Sequence, residues 1–277
     1  MTASLSRPEP GVLTSRESLV FHGITAAGTL QPRELFRFME KTGPQWWLPA
    51  SGLPRHEFWR RAGRTLVARH TTIRILADDC HASDPVLVEH VIRHGRRNRS
   101  LGRPPEYGFV DVLRVRRESD GAELSDLTVD SVWLELAAGA PQVATTPPAG
   151  LNCPVEELPE IEPPPRLGEP VDICEYRWTW RETDGNGHVS FPCYVERAEN
   201  ALADLNHPQV TRPVWQGWYR QESFADERMR LAVQRVGDGY VFGFAGADER
   251  RPRVTVRLDG LAGQPPAAGS AAAMRSR

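Results

Sequence analysis

Between Arg181 and Ser190 the chain reads Arg-Glu-Thr-Asp-Gly-Asn-Gly-His-Val-Ser, so Asp184, Asn186 and His188 stand at every second position with glycines between them. A carboxylate, an amide and an imidazole spaced in this way can orient water, accept a proton and return it. Imidazole titrates near ~6.5 and works in either direction around neutrality. Downstream, Trp218-Tyr219-Arg220-Gln221-Glu222-Ser223 brings a second carboxylate, Glu222. The set fits chemistry on an activated carbonyl. That reaction needs a polarised carbonyl, a positioned water and an acceptor for its proton. Whether His188 or Glu222 is the base stays open, with Asp184 holding the loop or tuning Glu222. Taken alone, Asp184 and Asn186 are also ordinary turn formers.

These residues need a strand before them and a helix after them. Cys174, Tyr176, Trp178 and Trp180 alternate along one face and predict a strand over 174–181. Ser190 is a suitable N-cap for a helix to about Leu205. Its first amides carry partial positive charge and suit an oxyanion, as does the nearby Ser190 hydroxyl for substrate contact. Further strands are expected at 214–224, 229–236, 240–245 and 252–258, with Gly237-Asp238-Gly239 as a hairpin signal.

The first half of the chain follows the same plan. A strand is expected at 18–25, and a helix opens at Gln31-Pro32, carries Leu35, Phe36, Phe38 and Met39, and stops at Gly43-Pro44. Strands follow at 65–76, 85–94, 107–117 and 127–136. The repeat, about 157 residues long, lies in element order and hardly in residue identity. The loop equivalent to 184–188 is Thr25-Ala26-Ala27-Gly28-Thr29-Leu30, which has no Asp, Asn or His, so this half reads as catalytically silent. A strand, a long helix and a curled antiparallel sheet make a hot-dog domain. The expected fold is therefore α+β, a tandem (double) hot-dog in which two antiparallel sheets each wrap one long helix, joined edge to edge. The expected boundaries are a disordered start at 1–14, a first domain at 15–138 and a Pro-rich linker at 139–170. A second domain follows at 171–260, with a disordered Gly/Pro/Ala tail at 261–277.

Asp184-Gly185-Asn186-Gly187-His188-Val189, followed by Tyr194, resembles the D-x-N-x-H-V-N-N-x-x-Y segment of the acyl-ACP thioesterases. The 218–223 segment is similar to that family's E-Y-R-R-E-C. The resemblance implies a thioesterase releasing an acyl or polyketide chain from acyl carrier protein or CoA. It carries over catalytic roles for Asp184, Asn186, His188 and Glu222, and an acyl tunnel shaped by the first half. The sequence departs at Ser190-Phe191-Pro192, where the family has Asn-Asn, and at Ser223, where many members carry cysteine. The second departure weighs against a thiol mechanism and leaves water attack untouched. A hot-dog dehydratase, which would need a following Pro-Gly pair after Gly187-His188, and a non-catalytic or cyclase-like acyl-binding protein are the alternatives.

Other candidates lie outside this set. Trp46 and Trp47, among Phe36, Phe38, Phe58 and Trp59, are either core or the lining of a pocket for a bulky acyl chain. Tyr194 is a packing residue or a substrate contact. Glu40 is an ion-paired residue or faces the cleft. Arg96, Arg97, Arg99 and Arg103 form a basic loop that is either solvated or docks an acidic carrier. The net charge of −2 gives no sign of a nucleic-acid partner. No apolar run approaches the ~20 residues of a membrane span, and Met1 to Pro10 lacks the pattern of a secretory signal. Cys80, Cys153, Cys174 and Cys193 show no metal spacing and read as free thiols in a reducing cytoplasm. No cofactor or metal is expected, and the chain would act as a monomer or homodimer.

Overall fold

The computed structural model describes residues 11–99, 104–136, 141–168, 172–185, 187–205, 210 and 212–260. β1 (Val12–Ser18) leads through a 3-10 turn (Phe21–Gly23) into α1 (Pro32–Ser51) and a short α2 (Arg55–Ala62). β2 (Arg64–Ile75), β3 (Pro85–Arg97), β4 (Glu106–Arg117) and β5 (Glu123–Glu135) follow. Two-residue strands β6 (Gln142–Val143) and β7 (Glu156–Glu157) lie in the Pro-rich stretch. The order then repeats with β8 (Asp172–Arg177), a 3-10 turn (Trp180–Glu182), α3 (Phe191–Asp204), β9 (Pro213–Tyr219), β10 (Arg228–Val236), β11 (Gly239–Gly246) and β12 (Val254–Gly260).

The strands form one sheet in the order β1-β3-β4-β5-β2-β9-β12-β11-β10-β8, with β6 beside β5 and β7 beside β3. The two halves meet at β2 and β9, where Ile73 faces Trp215 and Thr71 faces Gly217. Each half of the sheet curls over its own long helix, which is the tandem hot-dog architecture. One apolar core runs through both halves, from Leu35, Phe38 and Leu113 to Val195, Phe242 and Phe244. A second, aromatic core gathers Trp46, Trp47, Phe58, Phe109 and Trp133 beneath the C-terminal part of α1.

Alternation in β3 buries Val86, Val88, His90, Ile92 and His94. His90 reaches Thr42 Oγ1 at 2.7 Å and Asp111 Oδ1 at 3.0 Å. Burial pushes His94 down to about 4, so its ring is neutral where it packs against Phe109.

Four expectations need correction. Gly43-Pro44 does not stop α1, which continues to Ser51. Gly and Pro inside a helix cost about 1 and 3 kcal/mol, but Trp46, Trp47 and Ala50 lie beyond them and are buried. Each large apolar side chain returns roughly 1.5–3 kcal/mol on burial. Gly52, at φ 71°, ends the helix by bonding Leu48 O.

The strand expected at 18–25 lies earlier, at Val12–Ser18, the one expected at 174–181 ends at Arg177, and a 3-10 turn follows each. Trp178 is buried, but Trp180 is 70% exposed and its counterpart Phe21 is 86% exposed. In the second half the Glu182 carboxylate takes the Thr179 amide and hydroxyl at 2.7 and 2.8 Å. That local closure wins over the extended alternation.

Within the 1–14 stretch expected to be unstructured, Val12–Thr14 are ordered and pair with Val91–Glu89. Residues 1–10 and 261–277 lie outside the described residues.

The Pro-rich stretch is no free linker, because 141–168 packs on the sheet. Ala144 and Leu158 are buried, and Glu156 pairs with Gly95. Trp218 Nε1 donates to Glu162 O at 2.7 Å, and Gly168 N to Gln234 Oε1 at 2.7 Å. Prolines lack amides, so an extended strap making few bonds suits them.

Candidate functional site

Three chain segments lie side by side at the N-terminus of α3. The 3-10 turn Trp180–Glu182 is joined to α3 by Ser190 N, which donates to Glu182 O at 3.0 Å, and by Arg197 Nη2, which donates to Glu182 Oε1 at 2.9 Å. The loop closes on itself between Thr183 and Val189. Asp184 N donates to His188 O at 2.8 Å, Gly187 N to Asp184 O at 3.0 Å, and His188 N to Asp184 Oδ1 at 3.2 Å. Gly187 takes φ 81°, which only glycine adopts readily. The third segment follows β9. Val189 N donates to Ser223 O at 2.9 Å, and His188 bridges Phe224.

This stacking brings His188 Nδ1 to 3.2 Å from Glu222 Oε1. The two side chains are 32% and 42% exposed, so solvent and a small reactant reach both. Phe224 packs edge-on to the imidazole at 5.2 Å. Asp184 is exposed and shapes the turn through its carboxylate. Asn186 lies outside the described residues.

Ser190 holds the N-cap position at φ −65°, ψ 141°, but its hydroxyl makes no capping bond. Its amide is taken by Glu182 O, that of Cys193 by Ser190 O, and Pro192 has none. Fewer donors thus remain at this helix end for an oxyanion than a bare helix start would offer.

Several expected site residues fall elsewhere. Tyr194 is buried among Trp178, Tyr219 and Phe244, where it packs in the core. Trp46 and Trp47 are filled in by Phe109 and Trp133 in the second core, which shares no residue with the loop or with 218–224. Glu40 is held by Arg55 at 2.9 Å. A groove of about 340 Å³ opens along α1 between Phe36, Glu40 and His22, and includes neither His188 nor Glu222.

The basic loop also needs correction. Arg97 is buried in β3, bonded to Glu106, Asp130 and Pro159 O, and Arg99 lies 3.6 Å from Glu106. Only Arg96 of the described three is exposed, and Arg103 lies outside the described residues. A buried arginine with two carboxylates braces structure and has no free charge to offer a partner.

Two thiol or hydroxyl candidates are closed off. Cys193 is buried and burial pushes it up to about 11, so it stays a thiol. Ser223 is 1% exposed, behind the backbone that carries Glu222. Among the described residues, no group of three or more His, Cys, Asp and Glu side chains could hold a metal ion. No helix among them is long and apolar enough to cross a membrane.

Sequence reasoning missed how Glu222 is held. Arg253, just before β12, donates to Glu222 O at 3.1 Å and to Glu227 at 2.7 Å, while Glu227 accepts from Phe224 N at 2.9 Å. Arg253 lies far from the others in sequence, and no local motif marks it.

No protein-family model matches the sequence, and no curated protein does. Solved structures share the fold at low identity. A 12:0-ACP thioesterase from Umbellularia californica is 15% identical, with a TM-score of 0.66 over 90% of this chain and 96% of its own. An acyl-ACP thioesterase from Bacteroides thetaiotaomicron is 13% identical, with a TM-score of 0.64 over 89% and 96%. HtdX from Mycobacterium tuberculosis, at 11% identity, covers 90% of this chain and 100% of its own with a TM-score of 0.53. The chain therefore has the double hot-dog fold that the acyl-ACP thioesterases have.

Proposed function

We propose that this chain is a thioester hydrolase that releases a carboxylic acid from an acyl or polyketide thioester, most naturally one carried on acyl carrier protein. The observation that carries this reading is the His188–Glu222 pair, 3.2 Å apart and open to solvent at the start of α3. In that arrangement one member of the pair takes the proton of an attacking water. The other holds its partner's orientation and stabilises the charge that develops. Asn186, two residues before His188, is placed by sequence to orient the thioester or the water. The attack forms a C–O bond to the carbonyl carbon, and collapse of the tetrahedral intermediate expels the thiol, which leaves protonated. The first half, with Thr25 and Thr29 where the second has Asp184 and His188, takes no part in proton transfer.

The test is thiol release from a panel of acyl-ACP, acyl-CoA and short synthetic thioesters by the wild type and by Asn186→Ala, His188→Ala and Glu222→Ala. Release that depends on His188 and Glu222 supports the reading. Release that survives all three changes overturns the site. Saturable acyl binding without release identifies an acyl-binding protein, and an enoyl product identifies a dehydratase. The four free cysteines fit a reducing compartment such as the cytoplasm.

A further inference from the structure

The ladder between β9 and β12 ends where Tyr219 faces Val254. Glu222 lies three residues further on, in a stretch that no strand pairing holds apart from the single bridge of Phe224 to His188. The stretch also contains Asp226 at φ 64°, a left-handed conformation that aspartate tolerates in turns. Asp226 itself is fixed by Trp178 O, which accepts from its amide at 2.9 Å, and by Arg177 Nη1, which donates to its carbonyl at 3.0 Å, while the segment around Glu222 is tied down by a third group, the Arg253 side chain. Arg253 is 12% exposed. Its Nη1 donates to the carbonyl of Glu222 at 3.1 Å and to Glu227 Oε2 at 2.7 Å. Its Nε and Nη2 engage Glu249 at 2.8–3.0 Å. Its own carbonyl accepts Arg220 N at 2.8 Å and Gln221 N at 3.3 Å. Glu227 and Glu249 pass the constraint on, since Glu227 accepts from Phe224 N and Glu249 from Gly246 N.

The arrangement demands a guanidinium. Five N–H donors in a rigid plane can serve a carbonyl and two carboxylates at once, which a single ammonium on a flexible stem cannot do. Two carboxylates also neutralise its charge, so its effect on the site comes through position. On the opposite side, Val189 N fixes Ser223 O. Glu222 is thus gripped between the His188 loop and Arg253.

We propose that Arg253 is a positioning residue that holds the Glu222 carboxylate within hydrogen-bond reach of His188. The proposal rests on the reading of His188 and Glu222 as the proton-transfer pair, and two kinds of measurement separate it from that reading. Crystal structures of wild type, Arg253→Met and Arg253→Lys report the His188–Glu222 separation whether or not thioesters are cleaved. The expected result is that the carboxylate leaves reach of His188 in the Met variant, with α3 and the 184–188 loop unmoved. Lysine is expected to restore the contact only in part. Glu222 still at about the wild-type 3.2 Å from His188 in a folded Met variant overturns the proposal, and where Met fails to fold the Lys variant gives the same comparison.

Kinetics supply the second arm. Arg253→Met should lower kcat about 10–100-fold with KM within about threefold, and should add nothing to the loss already caused by Glu222→Gln. Losses that multiply in the double variant overturn it. Failure of the wild type to cleave any thioester defeats the functional reading alone, and the crystallographic arm still decides the role of Arg253.

Discussion

Thr29 and His188 occupy the same place in two copies of one loop. Each amide donates to the side-chain oxygen of the residue four positions back, Thr25 Oγ1 at 3.3 Å and Asp184 Oδ1 at 3.2 Å. The remaining bonds match as well. Thr25 N to Thr29 O and Asp184 N to His188 O are both 2.8 Å, Gly28 N to Thr25 O and Gly187 N to Asp184 O are both 3.0 Å, and Gly28 and Gly187 share a positive φ. The protein thus contains its own control for what this loop needs in order to fold.

The first expectation follows for Asp184. A hydroxyl makes the turn bond in one copy, so Asp184→Thr should keep the loop, whereas Asp184→Ala should cost about 1 kcal/mol, as the loss of a cap does. Thermal unfolding of the two variants checks this. Equal losses would mean that the carboxylate's charge, and not the turn bond, is what the loop requires.

His188→Ala and Glu222→Gln should each lower thiol release by roughly 10²–10⁴ while leaving unfolding within about 0.5 kcal/mol of wild type, since both side chains are partly exposed. Initial rates and urea titrations on the same preparations give both numbers.

Trp47→Ala should destabilise by about 3–5 kcal/mol, because Trp47 is buried against Phe58, Phe109 and Trp133. A variant kept folded in the cold should then show the wild-type preference among acyl chains. A selective change in KM for the longest or most aromatic chain would restore Trp47 as a lining residue.

Arg97→Met should lose about 3–5 kcal/mol, since it strands Glu106 and Asp130 in the interior. Arg96→Glu, at an exposed position, should leave stability almost unchanged. Comparing KM for a carrier-bound and a small thioester in the Arg96 variant shows whether this edge touches the carrier at all.

A pH effect follows from Glu199 on α3. Burial, with the neighbouring Glu196 adding to it, pushes its carboxyl from 4.5 up to about 7. The folded protein then binds the proton more tightly than the unfolded chain. This contribution is complete below about pH 4.5 and is lost as pH rises through about 7, on the order of 1–3 kcal/mol. Glu199→Gln should flatten that part of the stability curve, and a slope that persists in the variant would place its origin elsewhere.

Much of this could be read from residue order. Alternation in β3, β4 and β10 and the apolar stripe of α3 announce themselves because each is local and has a fixed period. His188 and Glu222 were also legible, although only the strands beside them bring them within 3.2 Å. The rest depended on distant partners. The continuation of α1 past Pro44 is decided by an aromatic core drawn from three other elements. Arg97 looks like a loop cation until β4 and β5 place Glu106 and Asp130 beside it. Trp180 completes an alternating face on paper, and Glu182 turns the chain before that face can form. Arg253 has no signature near Glu222, because the two meet only when β12 lies beside β9.

The junction of β2 with β9 has one more effect. Two identical chains joined along that edge would have to carry the same residues in both loops, so every change tuned for chemistry at one helix would be imposed on the other. Here the two copies sit on one polypeptide. Inheritance is no longer symmetric, and Thr25 and Thr29 can change independently of Asp184 and His188.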